Sequence, residues 1–189
     1  MIEDFNLSKY NDSCLEVIDK SMTGKYHLVS GLSSYEFNKE FLFAEEIKPL
    51  MIKIQKSING YIRSYDNLEE TVISSSWFNI LSKGQSVGRH RHVDSWDVRE
   101  GSVISGAYYP YVDEGSSPLV FTYPEGKIKK FYPSSGSLLL FPSWLDHHTE
   151  ENETDKRITV SFNTVRKSVV LEKFPKSVEE TKEKLKNGS

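Results

Sequence analysis

A single cysteine, Cys14, leaves this chain of 189 residues without an internal disulfide, and its stretch holds no partner histidine. It reads as a small buried hydrophobe. No run approaches the roughly 20 apolar residues that a membrane-spanning helix requires. The N-terminus, MIEDFNLSKYNDS, carries acids early and lacks the apolar core of a secretory signal. A basic excess is missing too: 24 Lys and Arg stand against 27 Asp and Glu, a net charge of -3. Phosphate backbones are met by basic surfaces, so no nucleic-acid partner is expected. These absences predict a soluble, cytoplasmic protein with no membrane partner. Also missing are an internal repeat, a low-complexity tract, a Ser-His-Asp order and a nucleophile elbow. The SSG turn at 134 to 136 precedes a strand, whereas a phosphate-binding loop needs a helix after it.

What is present suits one domain over residues 1–189: 37% of residues are hydrophobic and 12% aromatic. Residues 1–70 are expected to form an N-terminal buttress, 71–170 a β core and 171–189 a charged tail helix. The first 37 residues are mixed, with a short strand predicted at YHLVS (26–30) and a turn-rich GLSSYEF after it. From Glu45 to Tyr65 the apolar residues Ile47, Leu50, Met51, Ile54, Ile58, Ile62 and Tyr65 recur at spacings of three and four, a helical stripe. Pro49 fits only the first turn, so the helix should begin near Glu45. After Asn67 come seven short β-rich runs: SSSWFNIL, SVGRHRHV, SVISGAYY, PLVFTY, KIKKFY, SLLLF and RITVSFNTV. Runs at this spacing, separated by Gly, Pro and Ser turns, argue for an antiparallel sandwich or small barrel. In the tail, Glu179 precedes Lys182 by three and Glu180 precedes Lys184 by four, the spacing of a solvated helix.

Four of the five histidines lie in two tight groups, His90 with His92 and His147 with His148. On a strand, residues i and i+2 point the same way, so His90, His92 and Asp94 would share one face while Arg89 and Arg91 point elsewhere. Neutral imidazoles suit iron, zinc, copper or nickel. Exposed histidines on a polar face are the bland alternative, because His-x-His is short. The segment FPSWLDHHTEENETDKRITVSFN reads as a hairpin centred near Asn152, which would set His147 opposite Arg157. Opposed residues have Cβ atoms roughly 5 Å apart, so Arg157 could lie beside whatever His147 binds. Its bland reading is a surface ion pair with Glu150, Glu151 or Asp155. Asn79 shares a strand face with Trp77, and Thr159 and Asn163 share that of Arg157; these are candidate pocket residues. Trp77, Trp96 and Trp144 read as core or rim aromatics, since no basic stripe accompanies them.

From Trp77 to Asn163 the chain presents, in order, W-x-N, G-x5-H-x-H, S-G-x-Y-Y, G-x-L-x-x-F-P-S-x-L-x-H and R-I-x-x-x-F-N. This ordered set resembles the 2-oxoglutarate/Fe(II) oxygenase family of short bacterial and phage proteins. The resemblance implies a double-stranded β-helix, a mainly β jelly roll, and an oxidoreductase that uses Fe(II), 2-oxoglutarate and O2. It places His90, His92 and His147 at the metal, Arg157 at the far carboxylate of 2-oxoglutarate, and Tyr109 as a hydrogen-bond partner of that carboxylate. Cosubstrate would be decarboxylated to succinate while a substrate C–H is oxidised, most simply by hydroxylation.

Two departures accompany the resemblance. The wider superfamily uses two His and one carboxylate, and the carboxylate position here is His92. The ligands are therefore either His90, His92 and His147, which the spacing from Gly84 favours, or His92, Asp94 and His147. The link VDSWDVREGSVI is longer than usual and is expected to overhang the metal. Two rivals remain: a cupin-type metalloenzyme using His148 and Asn152 in H-x3-N, and a metal-free jelly-roll binding module. A peptide side chain, a sugar, a nucleobase or a small metabolite would each suit a pocket walled by loops, and oligomeric state is left open.

Overall fold

The computed structural model describes residues 3–64, 69–92 and 103–173. Ten strands and three α-helices occur among them. In chain order these are β1 (Glu3–Asn6), α1 (Asn11–Asp19), β2 (Gly24–Tyr26), β3 (Val29–Ser33) and α2 (Lys48–Arg63). There follow β4 (Thr71–Leu81), β5 (Ile104–Val112), β6 (Leu119–Thr122), β7 (Ile128–Phe131), β8 (Ser137–Pro142), β9 (Asp146–Thr149), β10 (Arg157–Arg166) and α3 (Lys167–Lys173). One antiparallel sheet runs β1-β8-β5-β10-β4-β3-β2 and a second runs β7-β6-β9. This is the mainly β, jelly-roll architecture expected.

Alternation along β10 divides the molecule. Ile158, Val160 and Phe162 turn to one face of the large sheet and join Leu50, Ile54 and Ile58 of α2 and Cys14 and Ile18 of α1 in the main core. Full burial of such side chains contributes about 1.5 to 3 kcal/mol each. Arg157, Thr159, Ser161 and Asn163 turn to the opposite face and line a cavity. A smaller core, with Ala107, Tyr109, Leu139 and Phe141 from the large sheet and Leu119 and Phe121 from the small one, holds the sheets together. Two local devices lock the sheet beside that cavity. Phe162 packs over Gly106 so closely that a Cβ there would stand 2.1 Å from the Phe162 ring. Further along, Tyr109 and Pro110 together oppose Thr159, a bulge that accommodates the missing proline N–H.

The stripe forms from Ile47 to Ile62 as the spacing predicts, with a 3-10 turn over Glu45–Ile47 before the α-helix and Pro49 in its first turn; Tyr65 lies outside the described residues. Gln55, on the same helix, accepts from Ile73 N and donates to Thr71 O, standing in for a strand partner of β4. YHLVS is not one strand: Tyr26 pairs with Val29, so His27 and Leu28 form the turn of a hairpin. SVGRHRHV also fails as a regular strand and makes isolated bridges, Val29 with Val87 and His90 with His147. The segment changes partner along its length: the Ser30 and Gly88 N–H groups bond Ser86 O and Leu28 O to bridge it to β3 at Val87, and further on it exchanges bonds with β9 at His90 instead. Among the first 37 residues β1 and α1 lack a motif, yet they close one end of the main core. A helix follows β10 directly, at Lys167. Residues 174–189, hence most of the expected tail helix, lie outside the described residues.

Candidate active site

The two histidines of the paired motif reach their places through backbone contacts with β9 and with the turn that precedes it. His90 and His147 exchange both N–H···O bonds, at 3.0 and 2.9 Å, and His92 N donates to Ser143 O at 3.0 Å. A turn at Lys83–Gly84, where Gly84 has φ of 77°, delivers the segment from the end of β4. The three imidazoles converge: ring centroids lie 4.3 Å apart for His90–His147, 4.9 Å for His92–His147 and 5.0 Å for His90–His92. Their nearest ligand-capable nitrogens all fall within 4.8 Å of one another.

Hydrogen bonding fixes two of the rings in the tautomer a metal needs. Nδ1 of His90 lies 2.8 Å from Gly88 O, and Nδ1 of His147 lies 2.8 Å from Leu145 O. A carbonyl only accepts, so each Nδ1 carries the proton and each Nε2 keeps its lone pair. Nε2 of His92 and of His147 stand 3.1 Å apart. Burial keeps all three rings neutral: it lowers His90, drives His92 well below its ordinary value with help from His147 and His90, and takes His147 to about 3 with His90 as the next cause. Phe121 and Phe141 flank the His147 ring at 6.1 and 4.8 Å. The donor set thus fits a borderline divalent metal. The adjacent carboxylate, Asp146, is turned away by strand alternation and pairs with Arg89 at 2.9 Å.

The cavity beside this cluster has a volume of about 470 Å³. Arg157 lies in it 1% exposed, with Nε donating to Ser117 O at 3.1 Å and Nη1 to Thr159 Oγ1 at 2.8 Å. Its guanidinium stands 5.1 Å from the Tyr109 ring centroid. Nη2 finds no hydrogen-bond acceptor among the described residues, and no carboxylate there pairs with the group. Burial lowers its affinity for the proton, an effect the Tyr109 hydroxyl opposes. A buried cation with an unmet donor is costly unless an anion joins it, so the cavity is built for one.

His90, His92, His147, Arg157, Tyr109, Asn79, Thr159 and Asn163 all line this one cavity. Asp94 lies outside the described residues, as do Trp96 and most of the long link. One expected arrangement is corrected: His147 and Arg157 are not partners in a hairpin. β9 pairs with β6 in the small sheet, whereas β10 sits between β5 and β4 in the large one. Asn152 explains the separation, because its side chain bonds Ser117 N and Thr154 O and turns the chain from one sheet to the other. With Asn152 so engaged and His148 outside the three-ring cluster, the H-x3-N pattern forms no second metal pair. Sequence reasoning missed Tyr26 and Tyr35, which line the cavity from β2 and from the turn after β3, and the chain Ser143–Ser105–Asn163 (2.8 and 2.9 Å), which reaches the cavity at Asn163. Only the spacing of small polar residues around S-G-x-Y-Y and F-P-S hinted at the latter.

A family model described as "Putative 2OG-Fe(II) oxygenase" matches residues 124–163, the span that contains His147 and Arg157. No curated protein matches the chain. Solved structures with the same fold include a prolyl-4-hydroxylase from Pseudomonas putida, with TM-score 0.64, 14% identity and coverage of 88% of this chain and 92% of that one. The viral collagen prolyl hydroxylase of Paramecium Bursaria Chlorella virus-1, in complex with 2OG, has TM-score 0.57, 13% identity and coverage of 87% and 96%. HygX from Streptomyces hygroscopicus, with nickel, 2-oxoglutarate and hygromycin B bound, has TM-score 0.62, 10% identity and coverage of 88% and 83%. At these identities the structures speak for the fold, a double-stranded β-helix. The matched segment, 40 of the 189 residues, is similar to the corresponding part of that oxygenase family. Among its described residues no helix is long and apolar enough to cross a membrane.

Proposed function

We propose that the chain is a 2OG-Fe(II) oxygenase, an oxidoreductase using Fe(II), 2-oxoglutarate and O2, that holds Fe(II) on His90, His92 and His147, takes 2-oxoglutarate with its far carboxylate on Arg157, and hydroxylates a C–H of a peptide side chain or small molecule. The observation that carries the reading is the unmet Nη2 of a fully buried Arg157 in the same cavity as three convergent neutral imidazoles. When bound, iron, 2-oxoglutarate and dioxygen together supply the oxidising power, with succinate and CO2 as coproducts. The chain's own residues bind and orient. Gly88 and Leu145 carbonyls hold two ligand rings; Thr159 and the Ser117 carbonyl hold the guanidinium in plane so that its free edge faces the cavity. Tyr109, buried against that guanidinium, has its hydroxyl near the same edge and adds a second contact to the carboxylate. Asn79, 5% exposed with Oδ1 unbonded among the described residues, borders the same space.

Support for the substrate classes comes from the fold neighbours, one crystallised with a hypoxia inducible factor peptide fragment and one with hygromycin B. We read residues 1–189 as one domain in which residues 1–70 buttress the β core, a reading supported by the packing of α1 and α2 on the large sheet. The test is a 2-oxoglutarate titration of iron-loaded protein without oxygen, followed by the visible charge-transfer band. The band should appear in the wild type, and its midpoint should move to higher concentration in Arg157→Met. No band in either protein rejects 2-oxoglutarate as the ligand of this cavity.

A further inference from the structure

Asn79 lines the cavity 5% exposed, and its Oδ1 is enclosed without a hydrogen-bond donor among the described residues. Both neighbours across the sheet are engaged elsewhere. Ser33, opposite it on β3, donates to Phe78 O at 3.4 Å and accepts from Tyr35 N at 3.2 Å. Thr159, opposite it on β10, accepts from Arg157 Nη1 at 2.8 Å. An enclosed acceptor left unpaired is destabilising, and an apolar side chain would stand here without that cost. The amide therefore finds its use through its other end, Nδ2, which carries two donors.

Strand register sets that amide beside the guanidinium. Across β5, β10 and β4, Tyr109, Thr159 and Asn79 form one row on the cavity face, with Tyr109 and Asn79 on either side of Thr159. Neighbouring strands lie about 4.8 Å apart, so the row spans roughly 10 Å. Arg157 reaches its middle, where Nη1 is held by Thr159, while Nε is held by Ser117 O and the group stands 5.1 Å from the Tyr109 ring. Nη2 is the guanidinium nitrogen left without an acceptor among the described residues. A carboxylate has two oxygens with about four acceptor sites, more than Nη2 alone can fill. We propose that Nδ2 of Asn79 binds the second oxygen of the far carboxylate of 2-oxoglutarate, across from the Tyr109 contact, and that Asn79 thereby helps to select a 2-oxo acid ending in a carboxylate over one ending in an alkyl group. This assignment rests on the proposed oxygenase site. The unpaired Oδ1 is then offset by a donor bond to a charged acceptor, the stronger kind of hydrogen bond.

The experiment uses nickel-loaded protein without oxygen and measures by calorimetry the binding of 2-oxoglutarate and of 2-oxopentanoate, which has the same carbon chain with a methyl in place of the far carboxylate. In Asn79→Leu, 2-oxoglutarate should bind about tenfold to a hundredfold more weakly, the size of a hydrogen bond to a charged group. 2-Oxopentanoate should bind wild type and variant alike, and nickel content should stay at the wild-type value. Asn79→Asp should weaken 2-oxoglutarate further, because it sets carboxylate against carboxylate, and it carries the test if Asn79→Leu does not fold. Unchanged 2-oxoglutarate affinity in the folded variants overturns the proposal. An equal loss for both acids also overturns it and would move Asn79 to the metal-bound end of the cosubstrate. A wild type that binds 2-oxoglutarate no better than 2-oxopentanoate, or not at all, would instead reject the underlying carboxylate site, and this assignment with it.

Discussion

At the scale of single residues, strand alternation decides which of two neighbours does chemistry. His147 points into the cavity, its Nδ1 spent on Leu145 O, while His148 stays out of the three-ring cluster. Metal analysis after dialysis should therefore find iron lost from His147→Ala and His90→Ala and retained near one per chain in His148→Ala, because removing one of three protein ligands leaves an incomplete site. The reverse result would restore the cupin-type pairing of His148. Arg157→Met is the complementary change, since it deletes the charged fork and keeps the stem. Breaking a buried, hydrogen-bonded charge pair costs about 2 to 5 kcal/mol, so 2-oxoglutarate affinity should fall by about thirty-fold to a few thousand-fold with iron content unchanged. Lysine should restore only part, for it returns the charge without the planar geometry. These residues were legible because their motifs are ordered along the chain. Tyr26 and Tyr35 were not, since their role exists only once the N-terminal hairpin is laid against β4.

At the scale of elements, period and register were legible to different degrees. The 3.6-residue stripe of α2 and the strict alternation of β10 are local properties and appear where the spacing puts them. Partners are not local. His147 and Arg157 read as the arms of one hairpin, yet Asn152 sends them to different sheets, and the cavity forms between them because of that separation. Likewise the His90–His92 segment alternates without being a strand, because the chain is bridged to β3 at Val87 and to β9 at His90 and keeps neither partner for long. The interlock of β5 and β10 gives a quantitative test. In Gly106→Ala the new methyl would overlap the Phe162 ring, and overpacking of this kind costs about 1 to 3 kcal/mol. Phe162→Leu alone opens a cavity and is also destabilising. Combined, the two changes should cost less in urea unfolding than the sum of the singles; simple additivity would mean that the ring swings aside freely. α1 has its own reporter. Cys14 is fully buried and its thiol is pushed up to about 12 by burial, so it should react with a thiol reagent at pH 8 only after unfolding. Rapid labelling of native protein would show that α1 leaves the sheet.

At the scale of the whole molecule, the site joins the two sheets and the N-terminal segment, so filling it should stabilise all three. β9 and the His90–His92 segment supply imidazoles from the small-sheet side, β10 supplies Arg157 from the large sheet, and β4 with the N-terminal hairpin closes the wall. Without ligand this region gathers three converging neutral imidazoles, one of them buried, and one buried guanidinium with an unmet donor, which is an unfavourable element of the fold. A ligand that binds only the folded state adds RT ln(1 + [L]/Kd), about 2.7 kcal/mol at a hundredfold excess over Kd. For a chain of this length 1 kcal/mol raises Tm by about 2 to 4 °C, so saturating Ni(II) or Fe(II) without oxygen should raise Tm by about 5 to 11 °C. The second ligand makes the argument specific. 2-Oxoglutarate should add a further rise of similar size only when metal is present, because one end of the molecule is held by the metal and the other by Arg157. In Arg157→Met the metal increment should persist and the 2-oxoglutarate increment should shrink to near zero; in His147→Ala both should vanish. A scanning-calorimetry series in which 2-oxoglutarate stabilises metal-free wild type as much as the loaded protein would show that Arg157 binds it without the histidine cluster, and the two halves of the site would then act separately.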